Sequence, residues 1–150
     1  MAIKAVIWDL GGVLLRTEDF SSRQALADRM GKSRAELEDL VFDGDSGDRA
    51  QLGEISVTEH WENIRRMLGL DAAGISEFRR QFWDGDQLDV ELVDTIRSLR
   101  GRYKTGLLSN AFSDLRQVVT ELLNISDAFD EMLISSELHL MKYKLYQIKP

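Results

Sequence analysis

The chain has 150 residues, 43% of them apolar, no cysteine and a net charge of -7, with a sequence pI of about 4.9. That length and apolar content suit one core, or a core with a modest insertion. The acidic balance argues against nucleic acid or an anionic membrane as partner, and the missing cysteines exclude disulfide and thiolate chemistry.

Residues 3–8 form an apolar run, Ile3-Lys4-Ala5-Val6-Ile7-Trp8, that reads as a strand buried on both faces. The N-terminus enters it without a basic-then-apolar leader, and no stretch reaches membrane-span length, so a cytoplasmic protein is expected. The strand stops on Asp9 and breaks into Leu10-Gly11-Gly12. A strand that delivers one carboxylate to the C-terminal edge of a sheet, followed by glycines that let the backbone turn and approach a ligand, is a binding geometry of open α/β folds. Such a carboxylate can act as nucleophile, metal ligand or both.

From Thr17 to about Gly85 the pattern is helical. Ser33-Arg34-Ala35-Glu36 is a capping box with Leu37, Leu40 and Val41 behind it. Ser56-Val57-Thr58-Glu59 is a second, leading Val57, Trp61, Ile64 and Leu68 down one stripe to Gly69. Ile75, Phe78 and Phe82 make another stripe. Between them, Asp43–Asp48 reads as a polar glycine-bearing loop, without the twelve-residue register of a calcium site.

From Asp89 onwards strands and helices alternate. Leu92, Val93, Ile96 and Leu99 mark a helix that Gly101 ends, and Tyr103 to Leu108 a strand ending on Ser109-Asn110. Leu115, Val118, Val119 and Leu122 mark a helix that Ser113 caps and Asn124 ends, and Met132–Ile134 a third strand. Single helices between strands imply right-handed crossovers and a parallel sheet. The expected fold is α/β: a Rossmann-like core over residues 1–16 and 86–150, with an all-helical cap over 17–85 inserted above Asp9. A cap so placed can exclude water and select substrates.

Asp9, Ser109-Asn110 and Lys142 all fall at or beyond strand ends. A carboxylate that attacks, a hydroxyl and amide that hold anionic oxygens, and an ammonium that offsets charge form a coherent catalytic set. The run Trp8-Asp9-Leu10-Gly11-Gly12-Val13-Leu14 resembles the first motif of the haloacid dehalogenase-like hydrolase superfamily. Leu107-Leu108-Ser109-Asn110 resembles its second, and Ser135-Ser136-Glu137-Leu138-His139-Leu140-Met141-Lys142 the approach to its lysine motif.

This resemblance implies that Asp9 forms an aspartyl-phosphate and ligates Mg²⁺ together with the Gly11 carbonyl. It also implies that Ser109, Asn110 and Gly12 contact the phosphoryl group, and that Lys142 neutralises nucleophile and phosphate. The implied activity is hydrolysis of a small phosphate monoester, a sugar or nucleotide phosphate. A 2-haloacid dehalogenase using Asp9, or a truncated domain with a binding or oligomerising role, are the alternatives.

Two departures from the superfamily pattern stand out. The first is Gly11, in the place of a second aspartate that would protonate the leaving group; the second lies at and beyond the lysine, where Tyr143 takes the place of a proline. The acidic fourth motif is missing, so the C-terminal part of the core is expected to be absent. An exposed sheet edge open to self-association would result. Neither His60 nor His139 has a partner at metal spacing; His139 stands where the superfamily often has glycine, which suggests an unusual backbone angle. Trp61, Phe78, Phe82 and Trp83 read as cap core, with Trp83 near the cap's exit placed to line a pocket.

Overall fold

The computed structural model describes residues 2–142; the Tyr143–Pro150 tail, with its departure from the lysine–proline pairing, lies outside them. Three parallel strands make the central sheet in the order β1 (Ala5–Trp8), β4 (Lys104–Ser109), β5 (Glu131–Ile134). Trp8 pairs with Leu107, and Leu107 with Met132, so these three share one face. Helix α6 (Val90–Leu99) and the segment α7 (Leu115–Gln117), which continues into a wider turn over Val118–Leu122, cover that face. Leu10, Leu14, Val93, Ile96, Leu107 and Val119 are buried there in one apolar cluster.

The other face differs from the sequence expectation. Ile7 is 59% exposed and Leu133 38%, so β1 is not buried on both sides among the described residues. The apolar run in β1 is continuous, but the described helices pack against one face only.

Two short strands frame the helical block. β2 (Leu15–Thr17) pairs antiparallel with β3 (Asp86–Leu88), an interruption of the helical pattern that the sequence did not reveal. Between them run α1 (Ser21–Arg29), α2 (Arg34–Phe42), α3 (Gly44–Gln51), α4 (Val57–Met67) and α5 (Ala72–Trp83). Ser33 caps α2 in a full reciprocal box with Glu36; at Ser56 the hydroxyl accepts from the Glu59 amide at 3.1 Å. Leu37, Val41, Trp61, Ile64, Phe78 and Phe82 bury together as a second apolar cluster, which Phe112 of the sheet side joins.

Asp43–Asp48 is not a loop. Asp43 is the N-cap of α3, whose buried residues are Gly47, Ala50 and Gln51. Gly47 makes this possible, since a Cβ there would lie 2.6 Å from the Phe42 carbonyl oxygen. The Gln51 amide also donates to that carbonyl. A helix seated by small residues on a neighbour's backbone carries no apolar stripe for sequence periodicity to detect. Further along, Asp114 rather than Ser113 is the N-cap of α7. Asn124 does end this segment, in a left-handed conformation at φ 51°.

Candidate active site

Asp9 leaves the C-terminal end of β1 with its carboxylate fixed at both oxygens. Oδ1 accepts from the Leu10 amide at 2.8 Å, and Oδ2 meets the Lys142 Nζ in a short ion pair. The Leu10 carbonyl then gathers the amides of Val13, Leu14 and Leu15, winding the chain into a tight turn. Gly12 sits in that turn at φ +74°, a left-handed angle that side chains resist. At Gly11, by contrast, φ is ordinary and an added Cβ would meet nothing within 4 Å.

Ser109 ends β4 and is 4% exposed. Asn110 follows, and its Oδ1 accepts from the Lys142 backbone amide at 2.8 Å, so the second sequence motif holds the third in place. Ser135, opening α8 (Ser135–Leu138), accepts from the Ala111 amide at 2.9 Å through its hydroxyl. The ends of β1, β4 and β5 therefore converge, and Asp9, Ser109, Asn110 and Lys142 come to one place. Ser135 was not singled out from sequence as a residue of this junction. Its only signal was its position just beyond the third strand.

An open cavity of about 920 Å³ begins at Gly11, Gly12, Ser109 and Asn110 and runs beneath the helical block to Phe20, Phe42 and Trp83, within the range of ligand sites. Trp83 lines it, as its position near the exit of the block suggested. Trp61, Phe78 and Phe82 are buried in the block, as expected. Arg23 is a buried charge on this wall that sequence reading missed. It donates to the Phe82 carbonyl at 3.0 and 2.9 Å and pairs with Glu38 and Asp86. A single arginine inside a helical pattern gives no sign of such burial.

The two histidines lie elsewhere. His60 is fully buried in the block, with Nδ1 2.9 Å from the Ser46 hydroxyl, and burial lowers its pKa from the ordinary imidazole value. His139 adopts an unusual backbone angle, left-handed at φ 53°, and its Nδ1 donates to the Leu52 carbonyl at 2.8 Å.

No group of three or more His, Cys, Asp or Glu side chains forms a metal cluster among the described residues. Asp9 keeps lone pairs beyond its two contacts, and the open turn at Gly11 leaves room beside its backbone. One carboxylate and one carbonyl fit a hard cation that takes its other ligands from water and phosphate, as Mg²⁺ does.

A parallel sheet whose strand ends bring a carboxylate to an ammonium, under an inserted helical block, defines a Rossmann-like hydrolase fold. The chain belongs to the haloacid dehalogenase-like hydrolases: the sequence model of that family matches residues 3–146. No curated protein matches it significantly. Among solved structures it is similar to a HAD family enzyme from Bacteroides thetaiotaomicron in complex with magnesium and inorganic phosphate. The identity is 22%, over 97% of this chain and 76% of that one, with a TM-score of 0.74. A HAD-like family hydrolase from Porphyromonas gingivalis is 22% identical over 97% and 75%, with a TM-score of 0.70. The L-2-haloacid dehalogenase from Xanthobacter autotrophicus with chloropropionic acid covalently bound is 21% identical over 97% and 64%, with a TM-score of 0.55. At these identities the likeness is one of fold. No helix among the described residues is long and apolar enough to cross a membrane.

Proposed function

We propose that the chain is a Mg²⁺-dependent phosphatase that hydrolyses a small phosphate monoester through an aspartyl-phosphate on Asp9. The observation that carries this reading is the Asp9–Lys142 ion pair, made across 133 residues of sequence, next in the chain to Leu10, Gly11 and Gly12, which line the cavity with Ser109 and Asn110. In the first step a carboxylate oxygen of Asp9 forms a bond to phosphorus, and the ester P–O bond breaks with its electrons going to the leaving oxygen. Lys142 holds Asp9 in place and offsets the charge that gathers on the phosphoryl oxygens, while Ser109 and the backbone amides at Asn110 and Gly12 donate to those oxygens. Bound Mg²⁺, held by Asp9 and the Gly11 carbonyl, supplies further neutralisation of the phosphate. Water then attacks phosphorus and restores the carboxylate.

The helical block over 17–85 acts as a cap on a core made of 1–16 and 86–150. Its separate apolar cluster and the β2–β3 pair at its base support this division.

A second reading, 2-haloacid dehalogenase, draws support from the bare turn at Gly11 and from the fold shared with the Xanthobacter enzyme. Displacement of halide by Asp9 needs no acid for the leaving group. The test is p-nitrophenyl phosphate with and without Mg²⁺. Metal-dependent release that vanishes in Asp9→Asn supports the phosphatase. Chloride release from 2-chloropropionate without metal supports the dehalogenase. A folded chain inactive in both assays leaves a binding or oligomerising domain.

A further inference from the structure

The cap side of the cavity has an aromatic wall. Phe20, 40% exposed, and Trp83, 37% exposed, are the two exposed aromatic side chains among the described residues, and both line it. Elsewhere in the block Trp61, Phe78 and Phe82 are buried and Phe42 is half-buried. Trp83 is fixed edge-on against Phe82 at 4.9 Å and Phe42 at 5.6 Å between centroids, so it presents a rigid surface that costs little entropy to bind. Exposed apolar side chains gathered on a cavity mark a binding surface.

Most of the charged side chains of the same wall are turned on neighbouring groups. Arg23 takes the Phe82 carbonyl, Glu38 and Asp86. Thr17 donates to Asp86 at 2.5 Å, Arg16 pairs with Glu18 and Asp89, and Arg79 lies 5.0 Å from the centroid of the Trp61 ring. Among the described residues that leaves Arg79 and Asp114 as the charged lining residues without an ion pair, few groups to receive the several hydroxyls of a sugar.

The reacting end of the cavity agrees. Gly11, on the turn after Asp9, has no side chain to donate a proton. Lys142 is held by Asp9, and the two histidines are held at Ser46 and Leu52. On the described residues, a leaving oxygen that departs unprotonated is therefore favoured. A phenol-type oxygen, with a pKa of about 10, leaves as an anion far more readily than an alcohol, whose pKa lies well above that and close to that of water.

We infer that the cavity selects aryl or heteroaryl phosphate monoesters, the ring lying against Trp83 and Phe20 and the phosphoryl group at Asp9. This rests on the phosphatase reading and narrows it. The ester P–O bond breaks to give the aryloxide, which takes its proton from water. A second water cleaves the aspartyl-phosphate and releases its proton to solvent.

Calorimetric titration with phenylphosphonate, methylphosphonate and 4-nitrophenol tests the ring site without requiring turnover. Phenylphosphonate should bind at least about 10-fold tighter than methylphosphonate. Trp83→Ala and Phe20→Ala should each reduce that preference to roughly 2- to 3-fold and leave methylphosphonate binding unchanged. Phe20→Ala, at the more exposed ring, keeps the test valid if loss of Trp83 loosens the end of α5. Equal affinity for the two phosphonates, or a preference that survives both substitutions, overturns the inference. If neither phosphonate binds but 4-nitrophenol does, and Trp83→Ala abolishes it, the ring site stands and the phosphatase reading falls. If none of the three binds, both fall.

Discussion

His139 Nδ1 donates a hydrogen bond to the Leu52 carbonyl at 2.8 Å, tying the segment that carries Lys142 to the tip between α3 and α4. Gly53, next in the chain, lies so close that a Cβ would sit 2.1 Å from the Ser136 carbonyl oxygen, and its φ is +69°. Gly69 has a similar φ of +64° but open space around it. Gly69→Ala should therefore cost only the left-handed strain, about 1–2 kcal/mol. Gly53→Ala adds a backbone clash and should cost about 1–3 kcal/mol more. Urea midpoints of the two variants decide it, and equal losses would show that the tip is not pressed against the α8 backbone.

Lys142→Met removes the charge beside Asp9 while keeping most of the side chain's length. Metal-dependent hydrolysis of p-nitrophenyl phosphate should fall about 10²–10³-fold in kcat. Asp9 is 35% exposed at its side chain, so the thermal midpoint should move little. A large loss of stability with normal residual kcat would assign Lys142 a structural role.

Gly11→Asp meets no steric barrier and requires no left-handed backbone. An acid there could protonate a poor leaving group, an effect worth about 10²–10⁴ in rate. Hydrolysis of an alkyl phosphate should rise by at least about 10²-fold, and that of p-nitrophenyl phosphate much less, because nitrophenolate needs no proton. A uniform change across both substrates would count against a missing acid.

Burial holds folded His60 below the ordinary imidazole value of 6.5. Between the folded value and 6.5 the unfolded chain binds a proton that the folded chain refuses, so stability is lost as pH falls through that window. Carboxylates with lowered values, such as Asp127, Asp130 and Glu137, lose their contribution only at lower pH, below their ordinary 3.8 to 4.5. The thermal midpoint should decline from pH 7 to 5.5, and His60→Gln should flatten that slope. An unchanged slope would place the titrating group elsewhere.

The two faces of the sheet should respond differently. Leu14 is fully buried, and Leu14→Ala should cost about 2–5 kcal/mol. Ile7→Thr, at an exposed and still β-branched position, should stay within about 0.5 kcal/mol. Chemical denaturation of both variants checks this.

Much of the site was legible because its signals are local. Asp9 before Gly11-Gly12, the Ser33 box and the stripe through Trp61 and Ile64 depend on residues a few positions apart. The α3 helix was not legible: its register rests on Gly47 touching the Phe42 backbone, a contact that hydrophobic periodicity does not encode. The β2–β3 pair escaped notice as well, because its strands of three residues are joined across the whole helical block.

The sequence by itself determined the strand–helix alternation of the core, the acid at the end of β1 and the family. Those follow from patterns repeated every two or three to four residues and from short motifs. Only the tertiary structure decided that Lys142 reaches Asp9, that Arg23 is buried and neutralised, and that Trp83 and Phe20 remain open to the cavity. Parallel strand register and packing between distant segments set those distances, and neither is written in any one stretch of chain.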